Sequence, residues 1–236
     1  LLAAYLSQIK ERIGFNSESL RFLLTKTAQK NGVPSLFNNN RLSIAAGFEN
    51  IKNDYTDIIK IPKANMESVQ TWLPQQGLNP QKTVVFSTGA SKRRKDKCLP
   101  NKIWAEIIDE MSSFDLSCIL SGAPFEKDDM QVLADLCIQK PKIFSATQGI
   151  LDSAALLKMS RLFIGIDSGA MHLAAAVGTK CLGIFAKTDP LQVGPMPLDK
   201  HIIVQKANMS DFTAKNIVAS AVLDFKRDFY LSYADK

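Results

Sequence analysis

No run of about 18 consecutive apolar residues occurs in this 236-residue chain, so a membrane-spanning helix is not expected. Its N-terminus lacks the charged-then-apolar pattern of a secretion signal. The four cysteines, Cys98, Cys118, Cys137 and Cys181, form no Cys-x-x-Cys pair, and Cys118 and Cys181 lie in apolar runs. Reduced, buried thiols and a reducing cytoplasm are the expectation. Zinc-ligand spacing, helix-turn-helix patterning and basic residues interleaved with aromatics are all missing, which argues against sequence-specific nucleic-acid binding. Internal repeats and low-complexity tracts are missing too; the Asn38 to Asn40 run reads only as a loop. The 46% apolar and 22% charged content excludes a disordered chain and leaves room for one large domain or two smaller ones.

The net charge of +6 is concentrated, because Lys92, Arg93, Arg94, Lys95 and Lys97 fall within six residues. A solvated basic loop accounts for such a cluster, as does contact with nucleic acid, anionic lipid or a phosphorylated substrate. More specific is residues 163–185, where an apolar strand-like run, Asp167-Ser168-Gly169, an Ala-rich helix-like run and a second apolar run follow one another. A glycine at a helix start lets the backbone approach a ligand, Ser168 is suited to cap or donate, and the free N–H groups favour a phosphate. His172 stands one turn into the helix. A plain N-cap explains Asp-Ser-Gly equally well if the motif stands alone.

From residue 81 onward, strand and helix patterns alternate, the signature of a parallel sheet covered by helices. Strands are expected at 83–87, 116–121, 142–145, 162–166, 180–185 and 201–204, and helices at 102–112, 127–138, 151–159, 170–177 and 213–229, the last capped by Asp211. The reading is a doubly wound, Rossmann-like α/β domain whose ligands sit beyond the carboxyl ends of the strands. The first 80 residues read as a helix at 1–9, an extended run at 12–15, a strand at 57–61 and a helix at 66–76, with Pro74, Gly77 and Pro80 marking a linker. That is a thin core for an independent domain. Because the chain starts on Leu1, inside a helical pattern, it is expected to be a fragment.

Four loops after expected strands carry ligand-type residues: Ser87-Thr88-Gly89-Ala90-Ser91 with Lys97 beyond, Ser121 to Glu126, Thr147-Gln148-Gly149, and Asp167-Ser168-Gly169. Turn chemistry accounts for any one of them; several on one sheet edge read as a binding cleft.

Residues 87–100 resemble a Pro-Gly-Ala-Ser, spacer, Lys-Arg-Trp-Pro element, and 121–126 resemble a Gly-Gly-Pro-x-Glu turn. Residues 167–173 resemble an Asp-Ser-Gly-Pro-Met-His-Leu signature, and Thr188-Asp189-Pro190 with Gly194-Pro195 resembles a Thr-Asp-Pro-x-x-x-Gly-Pro loop. In order and spacing these resemble the ADP-heptose:lipopolysaccharide heptosyltransferase family, glycosyltransferase family 9. The resemblance implies a two-domain GT-B fold and inverting transfer of a heptose from ADP-heptose to the lipopolysaccharide inner core, with no cofactor and no required metal. It implies that residues 1–80 are the rear of a truncated N-terminal acceptor-side domain. Residues 81–212 would be a complete C-terminal donor domain, and 213–236 a terminal helix that packs back on the N-terminal domain.

Carried over, Asp167, Ser168 and Gly169 hold donor phosphate or sugar, Thr88, Gly89 and Lys97 meet the diphosphate, and Lys97 stabilises the leaving ADP. Glu126 binds the ribose, His172 lies beside the phosphates, and Gln148 falls at an adenine-contacting position. The implied partners are ADP-heptose or another nucleotide sugar and an anionic lipid-linked acceptor, with no nucleic acid. The implied location is the bacterial cytoplasm, peripheral at the inner face of the inner membrane. Departures are Cys98-Leu99 in place of Arg-Trp, Ala170 in place of Pro, and no match for the family's N-terminal glycine-rich turn and catalytic aspartate. Inversion needs a base, so this chain is expected to bind donor better than it turns it over. The alternative is a non-catalytic nucleotide-sugar-binding module.

Overall fold

The computed structural model describes residues 1–31, 34–49, 51, 54–89, 97–146 and 149–234, with side chains to 225. Lys92, Arg93, Arg94, Lys95 and Gln148 lie outside the described residues. In chain order the elements are α1 (Leu2–Leu6), β1 (Ile13–Phe15), β2 (Lys26–Ala28), α2 (Ser35–Ala45), α3 (Lys63–Gln75), β3 (Thr83–Ser87), α4 (Asn101–Ser112) and β4 (Ser117–Gly122). There follow α5 (Lys127–Leu136), β5 (Lys142–Ser145), α6 (Ile150–Lys158), β6 (Leu162–Ile166), α7 (Gly169–Ala176), β7 (Cys181–Phe185), α8 (Pro190–Val193), β8 (Ile202–Gln205) and α9 (Ala214–Ala234).

The chain divides into two compact units, residues 1–54 with 191–194, and residues 55–190 with 195–236. In the larger unit six strands form one parallel sheet in the order β5-β4-β3-β6-β7-β8. The chain runs outward from β3 through β4 to β5, then returns to lay β6 on the other side of β3. This reversal opens a crevice at the β3/β6 boundary, where Ser87 stands opposite Gly165 in register.

The strands form because their sequences are apolar on both faces: every residue of β6 and β7 is buried. On one face Val84, Phe86, Leu120, Ile164 and Ile184 pack with α4, α5 and α9. Helix α4 supplies Trp104, Ile107, Ile108 and Met111, all fully buried at helical spacing, and Trp104 meets Phe86 edge-on at 6.3 Å. Each such side chain contributes about 1.5–3 kcal/mol of burial. On the opposite face lie α3, α6 and α7, joined by α3–α6 and α6–α7 contacts. Trp72 of α3 stacks edge-on against Phe144 of β5 at 5.0 Å.

Helix α3 belongs to the larger unit, whereas the sequence divides the chain after residue 80. A buried hydrogen bond accounts for the difference, since Asn65 Nδ2 donates to Asp152 Oδ1 of α6 at 2.9 Å. Nor do Pro74, Gly77 and Pro80 form a linker. Pro74 lies inside the last turn of α3, which runs to Gln75, and Gly77, at φ +71°, closes the helix while the Leu78 N–H returns to the Leu73 carbonyl at 2.9 Å.

The strand expected at 57–61 is absent: these residues are turn and irregular backbone. Asp57 has φ +59° and pairs with Lys158 of α6, so the segment is held by one carboxylate rather than a ladder. The loop expected at Asn38 to Asn40 is instead inside α2, with Asn38 and Asn40 buried. The Asn38 side chain takes the Asn31 N–H and donates to the Asn31 carbonyl, both at 3.0 Å, replacing the water a loop asparagine would use. Asp211 does not cap α9; Thr213 and Asn216 satisfy each other's backbone N–H at 3.4 and 3.3 Å. In the smaller unit β1 and β2 pair in parallel and α2 packs on both.

Candidate functional site

The carboxyl ends of β3 and β4, Phe163 of β6 and the first turns of α6 and α7 surround a cavity of about 240 Å³. Its inner wall is Val85, Phe163 and Leu157, and its rim is Ser87, Ser121, Glu126 and Gly169. Ligand pockets run to roughly 300–1,000 Å³. The hollow therefore has room for one ring of a nucleotide sugar, with the remainder over the loop tips.

Helix α7 aims its N-terminus at this cavity, and Gly169 and Ala170 line it. Among the described residues, its chain neighbours and its own helix aside, nothing lies within 4 Å of where a Cβ on Gly169 would stand, so the start of α7 has open space on that side. Ser168 takes the extended N-cap conformation, φ −150° and ψ 167°, but does not cap through its side chain. Its Oγ is buried and has no hydrogen-bond partner among the described residues. A hydroxyl in that state costs free energy unless an arriving group satisfies it.

Glu126 sits in the turn that enters α5, and its Oε2 accepts the Ala123 N–H at 2.8 Å. The other oxygen faces the loop after β3: a Cβ on Gly89 would stand 2.5 Å from Oε1, and one on Gly122 would stand 2.9 Å from Oε2. Both glycines leave space for this carboxylate, which couples the loops after β3 and β4.

Lys97 Nζ and Asp167 Oδ2 form an ion pair across 70 residues of sequence. The two side chains are 13% and 11% exposed, so the pair is largely closed to water. His172 belongs to the same charge cluster. Its pKa is lowered, first by desolvation, then raised by the Asp167 carboxylate and lowered again by Lys97. Among the described residues no group of three or more His, Cys, Asp or Glu is placed to hold a metal. Cys118 and Cys137, pushed up to about 11 by burial, are not nucleophiles at neutral pH.

Of the residues singled out in the sequence, the structure thus gathers Glu126 and Gly169 on one cavity, Gly89 against the Glu126 carboxylate, and Lys97 with Asp167 in one pair, while Ser168 and His172 lie outside the cavity lining. Thr88 follows β3 and is half-buried, outside the cavity lining. Sequence reasoning missed Ser153 and the apolar wall of Ile150, Leu157 and Leu173. Ser153 is one turn from Ile150 at the start of α6, a spacing visible in the sequence only once α6 is known to face the site.

A second, wider hollow of about 690 Å³ lies at the opposite edge, where β7 and β8 begin. Lys180 and Lys200 there accompany Asp199 and Asp224, and Lys180 pairs with Asp224 at 2.7 Å, so no charge of one sign dominates. His201 Nδ1 accepts the Cys181 N–H at 3.1 Å, and burial lowers its pKa to about 4. It is a neutral structural residue.

A family model described as glycosyltransferase family 9 (heptosyltransferase) matches residues 1–221. The chain belongs to that family. Lipopolysaccharide heptosyltransferase 3 of Escherichia coli is 27% identical over 132 residues, 54% of this chain and 38% of the relative. The chain thus matches well under half the length of that curated relative. Among solved structures, a glycosyl transferase family 9 protein from Veillonella parvula DSM 2008 superimposes with a TM-score of 0.77 at 16% identity, covering 91% of this chain and 67% of that one. ADP-heptose lps heptosyltransferase II of E. coli gives 0.73 at 13% identity, covering 96% and 73%. At such identities the likeness concerns the fold: a parallel-sheet α/β architecture of GT-B type. No helix among the described residues is long and apolar enough to cross a membrane.

Proposed function

We propose that this family 9 chain binds ADP-heptose at the carboxyl edge of its sheet, as part of an inverting glycosyltransferase that builds the lipopolysaccharide inner core. The observation that carries the reading is that Glu126 and the α7 N-terminus line one cavity at the topological switch point, with Ser168 and Asp167, the partner of Lys97, in the two positions just before that helix. An anionic diphosphate suits the open N–H groups of α7 and the ammonium of Lys97. Glu126 has a spare oxygen for ribose hydroxyls, and Thr88, Gly89, Gln148 and His172 complete the proposed donor contacts. As the glycosidic bond to the diphosphate breaks, negative charge grows on the terminal phosphate, where Lys97 and the helix start stabilise it. The acceptor hydroxyl attacks from the opposite face and gives its proton to a general base.

On this reading the larger unit, with α9 packed on α4 and β8 of its own sheet rather than on the N-terminal part of the chain, is the donor domain, and the smaller unit is the rear of the acceptor-side domain. The acceptor is an anionic lipid-linked oligosaccharide, which puts the enzyme at the inner face of the bacterial inner membrane. Calorimetric titration with ADP, UDP and GDP tests the donor class. ADP is expected to bind one to one, with UDP and GDP at least about tenfold weaker, and Glu126→Gln is expected to lose about tenfold through one weakened hydrogen bond to the ribose. Equal binding of all three nucleotides, or none, would contradict the reading.

A further inference from the structure

The ion pair between Lys97 and Asp167 sets an electrostatic contest at the site. Its side chains are 13% and 11% exposed, so salt and water screen it far less than a surface pair. An ammonium has three donors, and Asp167 Oδ2 already occupies one of them. A diphosphate arriving at Lys97 meets a carboxylate that holds the same cation and repels the newcomer. That carboxylate has a short stem, and its backbone follows β6 and precedes the Ser168 N-cap of α7. Lys97, at the end of a four-carbon stem, is the mobile member of the pair.

The contest is not equal for substrate and product. The diphosphate of a nucleotide sugar carries two negative charges, and cleavage of the glycosyl bond leaves an additional one on the terminal phosphate. The repulsion from Asp167 grows with that charge.

We infer that Asp167 is a positioning residue for Lys97, which parks the lysine when the site is empty and reclaims it from the spent nucleoside diphosphate, so limiting retention of product. This rests on the donor-site reading above and adds to it a role for Asp167 exercised through Lys97.

Calorimetry with ADP on the chain at low ionic strength tests it. Asp167→Asn, which keeps the shape and removes the charge, is expected to tighten ADP binding about tenfold, while Asp167→Glu stays within about threefold of wild type. In a Lys97→Met background the same Asp167→Asn change is expected to give under about threefold, because the lysine is what the carboxylate withholds. Should the asparagine not fold, Asp167→Ser, smaller and also neutral, carries the same expectation. A purely structural role would weaken ADP binding in every variant. ADP binding to wild type with no tightening in the neutral variants would overturn the inference and leave the donor site standing. Failure of wild type to bind ADP would overturn both.

Discussion

Lys97→Met is expected to lower the unfolding free energy by about 2–4 kcal/mol and to weaken ADP binding roughly 100-fold. The stability loss comes from Asp167, which is 11% exposed and would keep its charge in a nearly closed site with no cation beside it. Removing one partner of a buried pair costs more than the pair itself is worth, because the survivor retains its desolvation penalty. The binding loss comes from the missing charge-assisted hydrogen bond between Lys97 and the diphosphate. Urea titration of Lys97→Met, Asp167→Asn and the double variant separates the two contributions. The double variant should recover at least half of the stability lost in Lys97→Met, since an amide tolerates the site without a counter-charge. Strict additivity would show that the two side chains do not interact in solution.

Gly165→Ala is expected to cost about 2–3 kcal/mol and to weaken nucleotide binding as well. Gly165 lies on β6, between β3 and β7, and a Cβ there would stand 2.6 Å from Phe163 Cζ, 2.8 Å from Phe163 Cε1 and 3.0 Å from the Ser87 carbonyl oxygen. The carbonyl is fixed in the ladder, so the ring must give way. Phe163 is fully buried and forms the inner wall of the ligand cavity, which is where displaced ring atoms would go. The glycine is thus tied to the site through its neighbour two residues away on the same face. Gly169→Ala is the control: nothing lies within 4 Å of its Cβ position, and its unfolding midpoint in urea should stay near wild type. A Gly165→Ala midpoint equally close to wild type would show that Phe163 has room the structure does not give it.

The strands of the sheet were legible because they are apolar on both faces and short turns separate them from amphipathic helices. Residues 83–87, 142–145 and 162–166 agree with β3, β5 and β6 at both ends. The first unit was not legible in the same way. Strand β2 is Lys26–Ala28, three residues of which two are exposed, and α2 carries Asn38 to Asn40 where an apolar stripe would announce a helix. Tertiary hydrogen bonds to Asn31 decide that helix, and no local pattern carries them. At the site, the Asp-Ser-Gly corner and Glu126 stood out because glycine and acidic residues follow apolar runs. The partnership of Lys97 with Asp167 spans 70 residues and is a property of topology: β3 and β6 become neighbours only after the chain has run out to β5 and back. Gly165 and Gly183 are likewise silent in sequence, since what they exclude, a contact with Phe163 or with Phe185 and Met171, exists only in the packed sheet.

The central claim is that a nucleoside diphosphate settles on the carboxyl edge of the sheet at the β3/β6 boundary. Backbone amide chemical-shift mapping during an ADP titration addresses it residue by residue. The account predicts the largest saturable shifts at Gly89, Ala123, Ser168 and Gly169, with Lys97→Met reducing them at every concentration. Shifts confined to the far edge, around Cys181 and His201, would contradict it.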